Sequence, residues 1–266
     1  MVEHYLERIG LSFASLNKLA AVDVLSLLHT SHLYSVPFEN LDIHLNRPIL
    51  LAAPAILDKI LQHQRGGFCY ELNLAFSELL KALGFKVSLI SAQVYQDQQF
   101  NPDYDHLCLV VQVDKQDFLV DVGFGDSFTE PLAFSTQATL IENAGYQFKL
   151  EQQAEDWVLY KSSQAGEWQA QYRFRLIARQ IEEFQARCDY HQYDALSHFK
   201  QKVIASIARP NGRFTLSNNR QILRTDGHKE EDLIPDSFSY GFLLEQAMGI
   251  SLNPEELQQI WQFISP

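Results

Sequence analysis

Apolar residues recur every three or four positions through the first ~85 residues and closer to every second position after them, so the chain turns from helices to strands as it is read. Between Leu16 and Tyr34 the spacing predicts a helix with Leu19, Val22, Leu25, Leu27 and Leu28 turned inward. Val36-Pro37 stops it, because the residue before a proline avoids the α region. Ala53-Pro54 opens a second helix that runs to about Gln62, with proline tolerated in its first turn. A third starts at Cys69, where Leu72, Phe76, Leu79, Leu80 and Leu83 repeat at helical spacing and Gly84 supplies a C-cap. From about Lys86 the pattern predicts strands over 87–90, 107–113 and 118–122, the last two joined by a turn at 114–117, and more strands over 146–150, 157–160 and 172–176. The final third reads as a helix over 194–206, a strand pair over 213–224, and helices over 238–248 and 254–263, with Asn253 as the N-cap of the last. The expected architecture is α+β and multidomain: a helical bundle over 1–85, a β-barrel over 86–187, and an α/β lid over 188–266.

The run Arg65-Gly66-Gly67-Phe68-Cys69-Tyr70-Glu71-Leu72-Asn73 places a thiol in the first turn of a helix, directly after paired glycines. Unpaired N–H groups and the positive end of the helix dipole favour a thiolate there, and the glycines are expected to keep its approach clear. A small buried hydrophobe at a helix start is the other reading of the same residues. Composition narrows the field. With 46% apolar and 20% charged residues, the 266-residue chain is an ordinary globular protein, and its formal charge of −12 argues against a nucleic-acid partner. An anionic cofactor would need a local cluster of Arg or Lys working against that field. No apolar stretch approaches the ~20 residues of a membrane span, and the N-terminus lacks the basic start and apolar core of a signal peptide. The three cysteines, Cys69, Cys108 and Cys188, form neither a disulfide framework nor a CxxC clip, which fits a reducing cytoplasm.

A cysteine nucleophile needs a base, and the base a partner that orients it. His106 opens the predicted strand 107–113, and Asp121 ends the next, where an aspartate in an apolar strand requires a partner. If Lys115-Gln116 form a two-residue turn, Asp121 faces Val110, on the same side as His106 but four residues out of step, roughly 13 Å at the rise of a strand. Contact then requires a bulge or a shifted register. Spacing alone equally allows His106 as a satisfied strand-end histidine and Asp121 as a turn cap. Cys69, His106 and Cys108 lack zinc-like spacing, so no metal cofactor is expected.

Four segments in order, Val36-Pro37-Phe38-Glu39-Asn40-Leu41-Asp42, Arg65 to Asn73, His106 with Leu109, and Val120-Asp121-Val122-Gly123-Phe124-Gly125, resemble the arylamine N-acetyltransferase family over nearly the full length. The resemblance implies a papain-like triad of Cys69, His106 and Asp121, acetyl-CoA as donor, and arylamines, arylhydrazines or N-hydroxyarylamines as acceptors. It implies a ping-pong route through an acetyl-cysteine. Phe38, Val94 and Phe124 match acceptor-pocket positions of the family, Gly125, Ser127 and Phe128 the loop toward CoA, and Glu39 with Arg65 an ion pair that fixes the loop before the nucleophile. Arg209, Arg213, Arg220 and Arg224 form the one dense cationic run, and Asp126 is an oddity in a loop expected near a polyanion. Ala195 stands where the family usually carries proline, ahead of Ser197 and Phe199. Competing expectations on the same scaffold are an amide synthase or a cysteine hydrolase, and, from another class, a binding protein that has kept the fold.

Overall fold

In the computed structural model, which describes residues 1–135, 141–143, 145–163 and 166–265, helices come first, as the spacing predicts. They are α1 (Val2–Arg8), α2 (Phe13–Leu16), α3 (Ala21–Ser35), α4 (Leu41–His44), α5 (Ala53–Leu61) and α6 (Cys69–Ala82), with only the short strand β1 (Phe38–Glu39) between α3 and α4. Strands follow: β2 (Lys86–Gln96), β3 (Gln99–Phe100), β4 (His106–Val113), β5 (Gln116–Val120), β6 (Leu132–Ala133), β7 (Ile141–Asn143), β8 (Tyr146–Gln153), β9 (Asp156–Ser163) and β10 (Trp168–Arg179). The chain closes with α7 (Gln185–Tyr193), α8 (His198–Gln201), β11 (Ile204–Arg209), β12 (Gly212–Ser217), β13 (Arg220–Thr225), β14 (His228–Leu233), α9 (Ser237–Met248) and α10 (Pro254–Ile264).

Nine strands build an antiparallel, nearly closed barrel in the order β6-β5-β4-β2-β10-β9-β8-β7, with β3 paired to the end of β2. Its interior is apolar, with Phe128, Phe148, Leu150, Trp157, Leu159 and Phe174 in one cluster. A second sheet runs β1-β11-β12-β13-β14, so a segment from the front of the chain is an edge strand of the C-terminal sheet. Phe38 lies opposite Ser206 and Glu39 opposite Ala205. The helix α6 is buried on nearly every side, leaving only Glu78, Lys81 and Ala82 partly or fully exposed, as befits a core helix rather than a surface one. Among the described residues no helix is long and apolar enough to cross a membrane.

Two predicted helices change. α3 starts at Ala21, not near Leu16, and turns Leu25 and Leu28 into the core while Leu19 and Val22 stay exposed. The predicted helix over 194–206 reduces to the four residues of α8, and Ile204 onward is strand. The cause is tertiary: Ile204 N donates to Asn40 Oδ1 (2.8 Å) and β11 pairs with β1 and β12, which buries Val203, Ala205 and Ile207 as alternating positions.

Candidate active site

Cys69 is the first residue of α6, as its spacing predicts, and Gly84 follows the helix end with φ of +92°. Glu71, in the third helical position, accepts the Phe68 backbone N–H through Oε2 (3.1 Å), one half of a capping box. The paired glycines serve packing more directly than access. A Cβ on Gly66 would stand 1.9 Å from Pro37 O, and one on Gly67 2.7 Å from Glu71 Cβ. They allow the Val36–Asn40 segment to lie against the nucleophile loop, where Glu39 N donates to Gly67 O (2.8 Å). Cys69 itself is buried, and burial pushes its thiol well up, opposed by a backbone hydrogen bond from Leu107. Burial thus opposes the thiolate that the helix start favours. A neighbouring base or cation would offset that penalty.

His106, the candidate base, is positioned by the hairpin β4–β5. Its two-residue turn is Asp114-Lys115, not Lys115-Gln116, and both residues have positive φ (49° and 71°), as a type I′ turn requires. The ladder then runs from Val113–Gln116 to Leu109–Val120, and its continuation sets Asp121 against Cys108. The offset from His106 becomes two residues rather than four, about 7 Å along a strand, which two side chains span. His106 Nε2 lies 2.7 Å from Asp121 Oδ2, both groups fully buried. Asp121 accepts three further hydrogen bonds: from Asn73 Nδ2 (2.9 Å) and Gly123 N (3.0 Å) at Oδ1, and from Tyr172 OH (2.8 Å) at Oδ2. Burial alone would raise the carboxyl, but His106 and these donors hold it below the usual carboxylate range. Asp121 holds Nε2, which leaves His106 Nδ1 outside this contact.

Two more residues fix this aspartate. Asn73 Oδ1 accepts Val122 N (3.0 Å), so one amide grips both the side chain and the backbone of the loop after β5. His29 of α3 has Nδ1 2.8 Å from Thr129 O and Nε2 3.2 Å from the Asp121 N–H. Burial lowers its pKa, and the neutral ring with hydrogen on Nδ1 donates to the first and accepts from the second. Gly123 lets the loop press against the helix, since a Cβ there would stand 2.7 Å from Cys69 Cα. Asn73 closes the signature run one turn after Cys69, a spacing that could have singled it out although the sequence alone gives it no role. Tyr172 and His29 give no local signal, being 51 and 92 positions from the aspartate they serve.

Cys69 and His106 share a cavity of about 360 Å³. Phe38, Val94 and Phe124, expected on the acceptor wall, all line it, together with Gly125 and Phe199. The Phe124 ring lies edge-on to His106 (5.1 Å) and Tyr172 (5.0 Å). A polar side faces the same space, where Asp105 binds Arg187 Nε (2.8 Å) and Asn101 Nδ2 (2.8 Å). Of the residues expected to meet CoA, Gly125 is on the cavity wall and Ser127 is buried beside Arg213 and Arg224. The Phe128 ring is spent in the barrel core, stacked on His29 at 5.7 Å, which leaves only its backbone for a ligand. Arg220 is paired with Glu231 (2.8 Å) and Arg209 lies over the Phe214 ring (5.3 Å). Among the described residues no group of three or more His, Cys, Asp or Glu side chains is placed to hold a metal ion.

Behind the cysteine, the expected Glu39–Arg65 pair (2.8 Å) proves to be part of a larger network. Arg65 also reaches Asp42 (3.0 Å), and Lys59 joins Asp42 (2.7 Å) to Glu71 (2.7 Å). Three carboxylates thus share two buried cations beneath the start of α6, with the half-exposed Arg47 at the edge, 3.8 Å from Asp42. Burial raises the Glu71 carboxyl, whereas Lys59 and Arg65 overcome the burial of Asp42 and lower it.

A family model for N-acetyltransferases matches residues 21–257. The arylamine N-acetyltransferase of Escherichia coli is 30% identical over 257 residues, covering 95% of this chain and 90% of that protein. Among solved structures, the arylamine N-acetyltransferase of Salmonella typhimurium superposes with a TM-score of 0.90 at 27% identity, covering 98% of this chain and 97% of the other. The Mycobacterium marinum arylamine N-acetyltransferase in complex with CoA does so with 0.88 at 26% identity, covering 99% and 98%.

Proposed function

As the chain belongs to the arylamine N-acetyltransferase family, we propose that it moves acetyl groups from acetyl-CoA to the nitrogen of arylamines and arylhydrazines, and to the oxygen of N-hydroxyarylamines, through an acetyl-Cys69 intermediate. The observation that carries this reading is the buried His106–Asp121 contact at 2.7 Å, on the wall of the cavity that also holds Cys69. His106 Nδ1 takes the thiol proton as the sulfur attacks the thioester carbonyl. The carbon–sulfur bond to CoA breaks, and the same proton leaves on the CoA thiol. In the second half the amine attacks the acetyl-cysteine, His106 takes a proton from nitrogen, and the Cys69 thiol leaves reprotonated. Proton transfer between sulfur and imidazole leaves the net charge of the pair unchanged, so a site that disfavours a lone thiolate still supports it.

Asp121 fixes the ring tautomer and favours the imidazolium that forms in each half. Exchange of one thioester for another is nearly neutral, and amide formation drives the second step. Phe38, Val94 and Phe124 give an aromatic acceptor flat apolar walls on which to stack. Glu39 and Arg65 hold the loop ahead of the cysteine and act on structure rather than on substrate.

Intact mass after mixing with acetyl-CoA tests the route. The expected result is one added acetyl group, lost on addition of an arylamine and absent in Cys69→Ser. Release of CoA with neither an acetylated protein nor an acetylated amine would point to a hydrolase, and absence of any reaction would remove the catalytic reading.

A further inference from the structure

The loop after Phe124 carries the acid that is out of place beside a polyanion, and its surroundings are unusual. Asp126 Oδ2 lies 2.7 Å from Lys161 Nζ on β9, and Asp126 Oδ1 lies 3.7 Å from Arg213 Nε on β12. Arg224, from the neighbouring strand β13, lines the same small recess. Three cations from two different sheets therefore converge on one carboxylate, a local excess of positive charge in a chain of formal charge −12. None of the three is displaced toward solvent. Lys161 Nζ sits 3.9 Å from the centre of the Tyr146 ring, Arg224 Nη1 donates to Tyr146 OH (2.8 Å), and Arg213 Nη1 donates to Ser206 Oγ (3.1 Å).

A second, independent observation lies in the same recess. Ser127, only 5% exposed, keeps its hydroxyl buried with no hydrogen-bond partner among the described residues. A buried hydroxyl without a partner is costly unless a ligand or water completes it. The recess has a volume of only about 20 Å³, room for one water and not for a larger anion. The Asp126 carboxylate lines this recess, and its side chain is 46% exposed and so has solvent to swing into.

We propose that Asp126 is an internal stand-in for a phosphate, closing an anion site built from Lys161, Arg213, Arg224 and Ser127 that a phosphate of the acetyl donor occupies when Asp126 swings away. The inference rests on the acetyl-CoA reading for the identity of the donor, while the anion site itself does not. A phosphate presents more acceptor oxygens than a carboxylate, can take both arms of a guanidinium, and leaves one for the Ser127 hydroxyl. A terminal phosphate monoester also carries a second negative charge, which matches the cationic excess that one aspartate leaves. After the first half-reaction the returning carboxylate competes with the phosphates of free CoA and speeds its departure, which a ping-pong route needs before the amine can enter.

Calorimetric titration with free CoA and with pantetheine, which lacks phosphates, tests this on the wild type, Asp126→Asn and Arg224→Gln. Removal of the competing charge should tighten CoA about fivefold or more in Asp126→Asn, and Arg224→Gln should weaken it by a similar factor, with smaller changes for pantetheine. CoA binding that is unchanged or weaker in Asp126→Asn overturns the proposal, whatever happens to thermal stability, because the cluster is then only an ion-pair clamp between the two sheets. Failure of CoA to bind any of the three proteins overturns it as well. If CoA follows the expected pattern but no acetyl-cysteine forms, the anion site stands and the transferase reading falls.

Discussion

Two sets of buried carboxylates flank the start of α6, and they are satisfied in opposite ways. Asp121 is a single negative charge held by four directed hydrogen bonds, three of them from neutral donors and one from His106. Glu39, Asp42 and Glu71 are instead balanced as a group by Lys59 and Arg65. Directed donors fix an orientation, which the proposed role of His106 as base requires. A charge-balanced group fixes a position more loosely but cannot lose a member without stranding another charge. The first arrangement suits chemistry and the second suits scaffolding, although both lie within a few residues of the same cysteine.

The comparison can be broken by substitution, and the largest effect is expected at Asp121. Asp121→Asn turns an N–H toward the ring and leaves Tyr172 OH without its acceptor, so turnover of an arylamine should fall on the order of 10³–10⁴-fold, alongside a loss of stability of only about 1–3 kcal/mol. Steady-state rates and a melting curve on the same preparation check both halves. Arg65→Met should do the reverse. With Glu39 and Asp42 left short of a cation, stability should fall by about 3–5 kcal/mol in urea unfolding, and whatever protein stays folded should retain its acetylation of Cys69. A refolded Arg65→Met protein of normal stability and no activity would place the network in the chemistry. Tyr172→Phe removes one of four donors to Asp121, and a loss of about 1.5–3 kcal/mol, with a modest drop in turnover, is expected from a hydrogen bond to a charged group.

The smallest effect is in pH dependence, and it has opposite signs at Asp121 and at Glu71. The Asp121 carboxyl is depressed in the fold, so its contribution is present above the ordinary aspartate range and is lost as pH falls through the folded value. Glu71 is raised by burial, so its contribution is present below the ordinary glutamate range and is lost as pH rises through the folded value. Relative to wild type, Asp121→Asn should therefore lose stability as pH rises from about 3 to 7, and Glu71→Gln should gain it. Parallel slopes in urea titrations would show that Asp121 and Glu71 do not differ in this way.

Much of this was legible in the chain. The Cys69 helix, its Gly84 end, the Asn253 cap and most barrel strands follow from spacing and local chemistry, and the cap is realised by Asn253 Oδ1 accepting Glu256 N (2.9 Å). His106 and Asp121 were placed on one face by strand parity, which survives a shift of the turn by one residue because that shift moves the facing register by two. The turn itself was missed because a type I′ turn most often advertises itself with Asn-Gly or Asp-Gly, and here it is Asp114-Lys115. The false helix over 194–206 arose because Val203, Ala205 and Ile207 fit either period until β1 and β12 supply partners.

By itself the sequence determined which residues could do chemistry, which segments were helical or extended, and that the family signature segments stand in order. Only the tertiary structure decided which charges and hydroxyls meet: Tyr172 and His29 on Asp121, Lys59 between Asp42 and Glu71, and Lys161 on Asp126. The physical reason is range. Helix periods, caps and turns are settled by neighbours within a few residues, whereas these contacts join residues from 12 to 92 positions apart and leave no period in the chain.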